Sequence, residues 1–138
     1  MGKIDHDQHV PAIAGNPAFE LVATVSRSPN GVEGVPHFHD IADLIASGQG
    51  IDAVALCTPP QVRRAIAMQA IQAGWHVFLE KPPGATLAEV ANLEAASQAA
   101  GVTLFASWHV IMNCHALNSA ISTGWNRLNA KFSFTALR

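Results

Sequence analysis

The sequence predicts an open α/β fold built on a doubly wound parallel sheet. Three observations carry that expectation. Short apolar runs alternate with helical segments, the connections between them are short, and one run, IDAVALC (51–57), is apolar almost throughout. A strand covered by helices on both faces reads as a continuous apolar run, and strand–helix alternation with short links is the mark of parallel crossover units.

The elements follow in order. FELVATVS (19–26) is rich in β-branched residues and reads as a strand. HDIADLIASG (39–48) reads as a short helix with Asp40 as N-cap and Gly48 near its end. After the strand at 51–57, PPQVRRAIAMQAIQAG (59–74) opens with prolines, which the first helical turn tolerates, and stops at Gly74. Its apolar positions Val62, Ala65, Ile66, Ala70 and Ala73 predict the inward face. WHVFLE (75–80) is the next strand. TLAEVANLEAASQAAG (86–101) starts with a Thr86-x-x-Glu89 capping box and ends at Gly101. VTLFAS (102–107) is a further strand. After His109 the texture changes: the remainder has no acidic residue and weak helical periodicity, although Phe132 and Phe134 alternate as in a short strand.

Composition narrows the class. The 138 residues suit one domain, and 49% hydrophobic against 13% charged content supplies a core. A net charge of −2 without a basic run argues against a nucleic-acid partner. No apolar run approaches the ~20 residues that span a bilayer, so no membrane role is expected. The polar GKIDHDQH after Met1 does not read as a signal peptide. Cys57 and Cys114 form no C-x-x-C pair, which fits a reduced, cytoplasmic protein.

In open α/β sheets, ligands sit outside the carboxyl ends of the strands. Here those ends carry Ser26-Arg27, Thr58-Pro59-Pro60, Glu80-Lys81-Pro82 and Ser107-Trp108-His109. The Glu80-Lys81 pair admits two readings. It is either site chemistry or a surface salt bridge worth ~0–1 kcal/mol. The prolines after Thr58 explain themselves as helix initiators. Arg27 reads as a solvated surface cation or as a partner for an anion. His37, His39 and Asp40 read as a polar loop rather than metal ligands, and Cys57 as a small buried hydrophobe.

Taken together, GKI…DQHVPAI, FELVATVSR, IDAVALCTPPQVR, AGWHVFLEKPPGATLAEV and GVTLFASWH resemble, in family order, the nucleotide-binding half of the Gfo/Idh/MocA oxidoreductases. Within that family the chain is most similar to galactose or arabinose 1-dehydrogenases. The resemblance covers roughly residues 2 to 109, and implies a partial Rossmann-type NAD(P)-binding domain over 1–109 with a divergent segment over 110–138. It further implies that Gly2, Lys3 and Ile4 end a phosphate loop, where glycine lets backbone N–H groups approach a pyrophosphate. Asp5 stands where the family has a small residue, and it would repel that pyrophosphate.

The same resemblance assigns Ser26 and Arg27 to the adenosine ribose. An Arg there suits the 2′-phosphate of NADP, where an acidic residue would suit NAD. Thr58 and Pro59 line the nicotinamide ribose, and Trp108 contacts substrate or nicotinamide, with His109 a candidate for a proton relay. Lys81 becomes the catalytic residue, polarising the reacting hydroxyl, while Glu80 fixes the lysine or contacts the ribose. The implied reaction oxidises a small-molecule sugar at C1 to an aldonolactone.

Two departures from the family pattern carry physical weight. Its first strand, expected between 19–25 and 51–57, is absent, and so is its second, substrate-binding domain with the usual acid/base groups. The open slot must be filled by another segment, covered in a homo-oligomer, or left as exposed strand edges. The alternative reading is a non-catalytic nucleotide-binding remnant or an interaction module.

Overall fold

The computed structural model describes residues 9–29, 31–106 and the backbone of 130–135. The elements run α1 (Val10–Ala14), β1 (Phe19–Val25), β2 (His37–Phe38), α2 (Ile41–Ala46), β3 (Ala53–Leu56), α3 (Pro60–Gln72), β4 (His76–Leu79), α4 (Leu87–Ala100), β5 (Leu104–Ala106) and β6 (Ala130–Thr135). Among the described residues, no helix is long and apolar enough to cross a membrane.

The strands form one sheet in the order β2-β1-β6-β3-β4-β5, and all the pairings are parallel. The expected parallel α/β sheet is therefore present. What the sequence pattern left open was the slot between β1 and β3. It is filled from within the chain by β6, which pairs Ala130 to Thr135 with Phe19 to Val25 on one side. On the other side Phe132 to Thr135 pair with Ala53 to Leu56. The register against β1 shifts between Leu21 and Ala23, as a β-bulge does.

Alternation along β3 divides the core between two faces. Val54 and Leu56 join Ala23, Val25, Val77 and Leu79 beneath α2, α3 and α4, which contribute Ile41, Leu44, Ile66, Ala70, Ile71 and Leu93. Ala53 and Ala55 point the other way, with Phe78, against Ile13 of α1. Both faces of β3 are thus covered, which is why its sequence shows no polar alternation.

Helix ends follow the sequence signals. The Asp40 side chain accepts the Ala42 amide at the start of α2. Thr86 Oγ1 accepts the Glu89 amide at 3.2 Å, and the Glu89 carboxylate accepts the Ala85 amide at 2.9 Å. That is a capping box whose return bond lands one residue early. Gly101 caps α4 with φ +68°, in the left-handed region that glycine enters without strain.

The face of α3 differs from the sequence expectation. Val62 is 42% exposed, and Ala65 and Ala73 are exposed too. The buried stripe is instead Arg63, Ile66, Ala67, Ala70 and Ile71. The helix is rotated because Arg63 turns inward, although a pattern of apolar residues treats arginine as an outside position. The 37–40 segment also differs in part, since His37 and Phe38 form the edge strand β2 beside Thr24 and Val25.

One consequence of the central strand can be measured. Ser133→Pro removes a ladder N–H from a strand paired on both sides, leaving a carbonyl unmet at about 1–3 kcal/mol. Thermal unfolding followed by circular dichroism is expected to show a fall in Tm. An unchanged Tm would mean that β6 is not needed to close the sheet.

Candidate functional site

The carboxyl ends of β1, β3 and β4 form a rim, and each carries the residues singled out from sequence. At the end of β1, Ser26 is buried and its hydroxyl donates to the Ser28 carbonyl at 2.9 Å, which tightens the chain around Arg27. Arg27 is exposed and, among the described residues, forms no ion pair. His37 stands beside this turn. Its Nε2 donates to the Ser28 carbonyl at 2.9 Å, so its Nδ1 accepts from the Thr24 hydroxyl at 2.9 Å. Both ring nitrogens are committed to holding the turn. The His39 Nδ1 donates to the Ser26 carbonyl at 3.2 Å.

Thr58 follows β3 and is 1% exposed. Its hydroxyl has no hydrogen-bond partner among the described residues. A buried hydroxyl without a partner is costly, so its position at the ligand-facing edge suits a group supplied from outside. Pro59 is the exposed N-cap of α3 and Pro60 its first residue, where a missing N–H costs nothing.

Behind this turn lies Arg63, 2% exposed. Its Nη2 donates to the Thr58 carbonyl, and its Nη1 to the carbonyls of Glu80 and Pro82. One guanidinium therefore ties the end of β3 to the turn after β4. Burial pushes the Arg63 pKa down, opposed by the neighbouring Cys57 and Glu80.

Glu80 sits just beyond β4. One carboxylate oxygen accepts from His9 Nε2 at 2.8 Å and the other from the Lys81 amide at 3.1 Å. Burial pushes its pKa up. The hydrogen bond and charge of His9, the Lys81 amide and the charge of Arg63 outweigh that, leaving it below the usual carboxylate range. His9 is buried against the edge of Phe78, with ring centroids 5.8 Å apart. Lys81 is exposed, with no ion pair among the described residues, and a cis peptide joins it to Pro82.

The structure thus brings Thr58, Glu80 and Lys81 to one stretch of the rim, with Ser26 and Arg27 further along it. Gly2, Lys3, Ile4, Trp108 and His109 lie outside the described residues. Sequence reasoning missed His9 and Arg63. An arginine in step with Ile66, Ala67 and Ala70 is a usable sign of a buried cation. Nothing local in the sequence pairs His9 with a residue 71 positions away.

Set beside known proteins, residues 1–107 match the family described as GFO_IDH_MocA, an oxidoreductase family with an NAD-binding Rossmann fold. The galactose 1-dehydrogenase of Pseudomonas fluorescens is 50% identical over 90 residues, covering 65% of this chain and 29% of that protein. The inositol 2-dehydrogenase of Rhizobium meliloti is 31% identical over 86 residues, covering 59% and 25%. Among solved structures, the D-galactose-1-dehydrogenase of Rhizobium etli superposes with a TM-score of 0.76 at 56% identity, covering 79% of this chain and 35% of that one. The WlbA dehydrogenase of Bordetella pertussis, solved in complex with NADH and UDP-GlcNAcA, gives 0.70 at 31% identity, covering 77% and 32%. The matched part of the chain therefore spans only 25% to 35% of the length of these relatives.

The Glu80 carboxylate gives a pH signature. A carboxylate with a lowered folded pKa contributes its full stability above the unfolded pKa, and that contribution is lost as pH falls through the folded value. Glu80→Gln is expected to lower stability at neutral pH by roughly 1.5–3 kcal/mol, the scale of hydrogen bonds to a charged group. Urea denaturation from pH 7 to pH 3 should show the two proteins converging on the acid side. Parallel curves at every pH would contradict the role given to this carboxylate.

Proposed function

Because the chain belongs to the Gfo/Idh/MocA oxidoreductase family, we propose that it is the cofactor-binding part of an NADP-dependent aldose 1-dehydrogenase. The observation that carries this reading is Lys81, an exposed cation at the rim with no ion pair among the described residues and with Thr58 and Glu80 beside it. The two galactose dehydrogenases support a galactose-like sugar as the substrate.

The donor set of the rim fits a nicotinamide dinucleotide. The Thr58 hydroxyl, without a partner among the described residues, offers a hydrogen bond to the nicotinamide ribose, which Pro59 and Glu80 line. Arg27, exposed at the end of β1, offers a charge-assisted bond to a 2′-phosphate, and Ser26 shapes its turn. Gly2, Lys3, Ile4 and Trp108 complete the proposed cofactor contacts. When bound, the nicotinamide accepts the hydride that leaves sugar C1.

The remaining work falls to the protein. As hydride departs, the C1 oxygen loses its proton and an aldonolactone forms. The Lys81 ammonium donates a hydrogen bond to that oxygen and stabilises the negative charge that develops on it. A lysine suits the task because its charge is compact and its three donors rotate freely. The acceptor of the proton is assigned to the part of the family's fold beyond this chain. The cytoplasm, with its reduced cysteines and NADP pool, is the proposed setting.

Fluorescence titration of the purified chain is expected to show saturable binding of NADPH in preference to NADH. Arg27→Glu should weaken NADPH binding by about tenfold or more, which corresponds to ~1.4 kcal/mol. Equal binding of both cofactors by the parent chain would remove the 2′-phosphate assignment.

Lys81→Ala should keep NADPH binding while sugar-dependent NADPH formation falls by roughly 10²-fold or more. An unchanged rate would reject Lys81 as the polarising residue. Stoichiometric NADPH binding without any sugar-dependent turnover by the parent chain would favour the non-catalytic nucleotide-binding reading.

A further inference from the structure

Lys81 is held at its main chain and left loose at its head. Its own amide donates to Glu80 Oε2 at 3.1 Å. The carbonyls of the residues on either side of it, Glu80 and Pro82, both accept from Arg63 Nη1. The other carboxylate oxygen of Glu80 is occupied by His9 Nε2 at 2.8 Å. In an ordinary surface salt bridge the carboxylate would turn to the lysine ammonium. Here it turns to a buried imidazole and to the lysine's backbone, and the ammonium stays exposed without an ion pair among the described residues.

The two anchors come from different parts of the fold. Arg63 lies on α3 and also holds the Thr58 carbonyl, so it fixes the turn after β4 relative to the end of β3. His9 precedes α1 on the opposite face of the sheet, packed against Phe78. A guanidinium is the side chain that meets several acceptors at fixed angles, whereas an ammonium of the same charge acts as a point donor. A site group is useful only when its base is held to within a fraction of an ångström by such supporting bonds.

We infer that Arg63 and His9 are positioning residues that set the direction in which Lys81 presents its ammonium to a bound cofactor and sugar. The inference rests on the reading of Lys81 given above and extends it to two buried residues, Arg63 and His9. Arg63 acts through the carbonyls flanking Lys81, and His9 acts through the Glu80 carboxylate. The two arms hold different atoms of the same turn and meet at Glu80, so they are coupled through it.

The test uses the full chain with its lysines reductively methylated with ¹³C. There are only three, Lys3, Lys81 and Lys131, so Lys81→Arg assigns the Lys81 signal. Saturating NADPH should displace that signal in the parent. Arg63→Gln, which loses the charged fork without adding a lysine, and His9→Leu, which removes the carboxylate's donor, should still bind NADPH within about threefold. Their Lys81 displacement should fall to less than half the parental value. Where Arg63→Gln fails to fold, His9→Leu carries the same readout from the other arm. Variants that bind NADPH and keep the full displacement would overturn the positioning role alone. A parent signal that ignores bound NADPH would overturn the placement of Lys81 at the cofactor, and this inference with it.

Discussion

The inner edges of β1 and β3 each present a row of backbone donors and acceptors that must be met. In the interior there is no water to meet them, and leaving the row open would expose apolar residues of both strands. β6 answers both edges at once by pairing in parallel with each. Its insertion also sets the scale of the rim. With neighbouring strands ~4.8 Å apart, one intervening strand separates the ends of β1 and β3 by roughly 10 Å. The Ser26-Arg27 turn and Thr58 therefore stand on separate parts of the rim. The strands also run outward in both directions from β6, with β1 and β2 on one side and β3, β4 and β5 on the other. That reversal is the point at which open α/β sheets bind their ligands.

The second constraint is the buried charge of Arg63. A guanidinium this deep needs acceptors, and it finds carbonyls rather than a carboxylate ion pair. The choice has a structural consequence. Carbonyls belong to the main chain, so the same bonds that satisfy the cation also fix the turns after β3 and β4. Glu80 remains close enough to lower its own proton affinity in the field of Arg63, yet its oxygens are used for His9 and the Lys81 amide. The turn is thereby over-determined while the charged head of Lys81 is spared.

Much of this fold was legible in the sequence, and the reasons are specific. β3 announced itself because both faces of the sheet are covered there, which writes an unbroken apolar run, and Val77 to Leu79 do the same for most of β4. α2 and α4 were delimited by Asp40 and by Thr86 with Glu89, because caps are local chemistry. The central place of β6 was not legible. Phe132 and Phe134 gave the alternation of a strand, but its neighbours β1 and β3 are fixed by pairing with residues far away in the chain, which no local window contains. β2 is two residues long, too short to establish a period. The inward face of α3 was misplaced because Arg63 counts as polar in any pattern, and only its three carbonyl partners explain why it points in. The placement of Ser26, Arg27, Thr58, Glu80 and Lys81 at the ends of the strands was readable from position alone. The bonds of His9 and Arg63 were not, since both reach across elements.

The chain has a formal net charge of −2, which by itself would disfavour a polyanionic ligand. At the carboxyl ends of the strands the direction of each charge matters as well as the sum. Asp40 accepts the Ala42 amide as the cap of α2, and Glu80 is held by His9 and the Lys81 amide. Arg27 and Lys81 have no ion-pair partner among the described residues. The rim's carboxylates are thus turned toward donors of the protein, while two of its cations face outward. Hydrogen bonding leaves these carboxylates charged, so what the fold sets is the direction of each group: Glu80 is turned to donors of the protein, while Arg27 and Lys81 are exposed to solvent. A ligand that meets the rim therefore meets its cations as free donors rather than as members of ion pairs among the described residues.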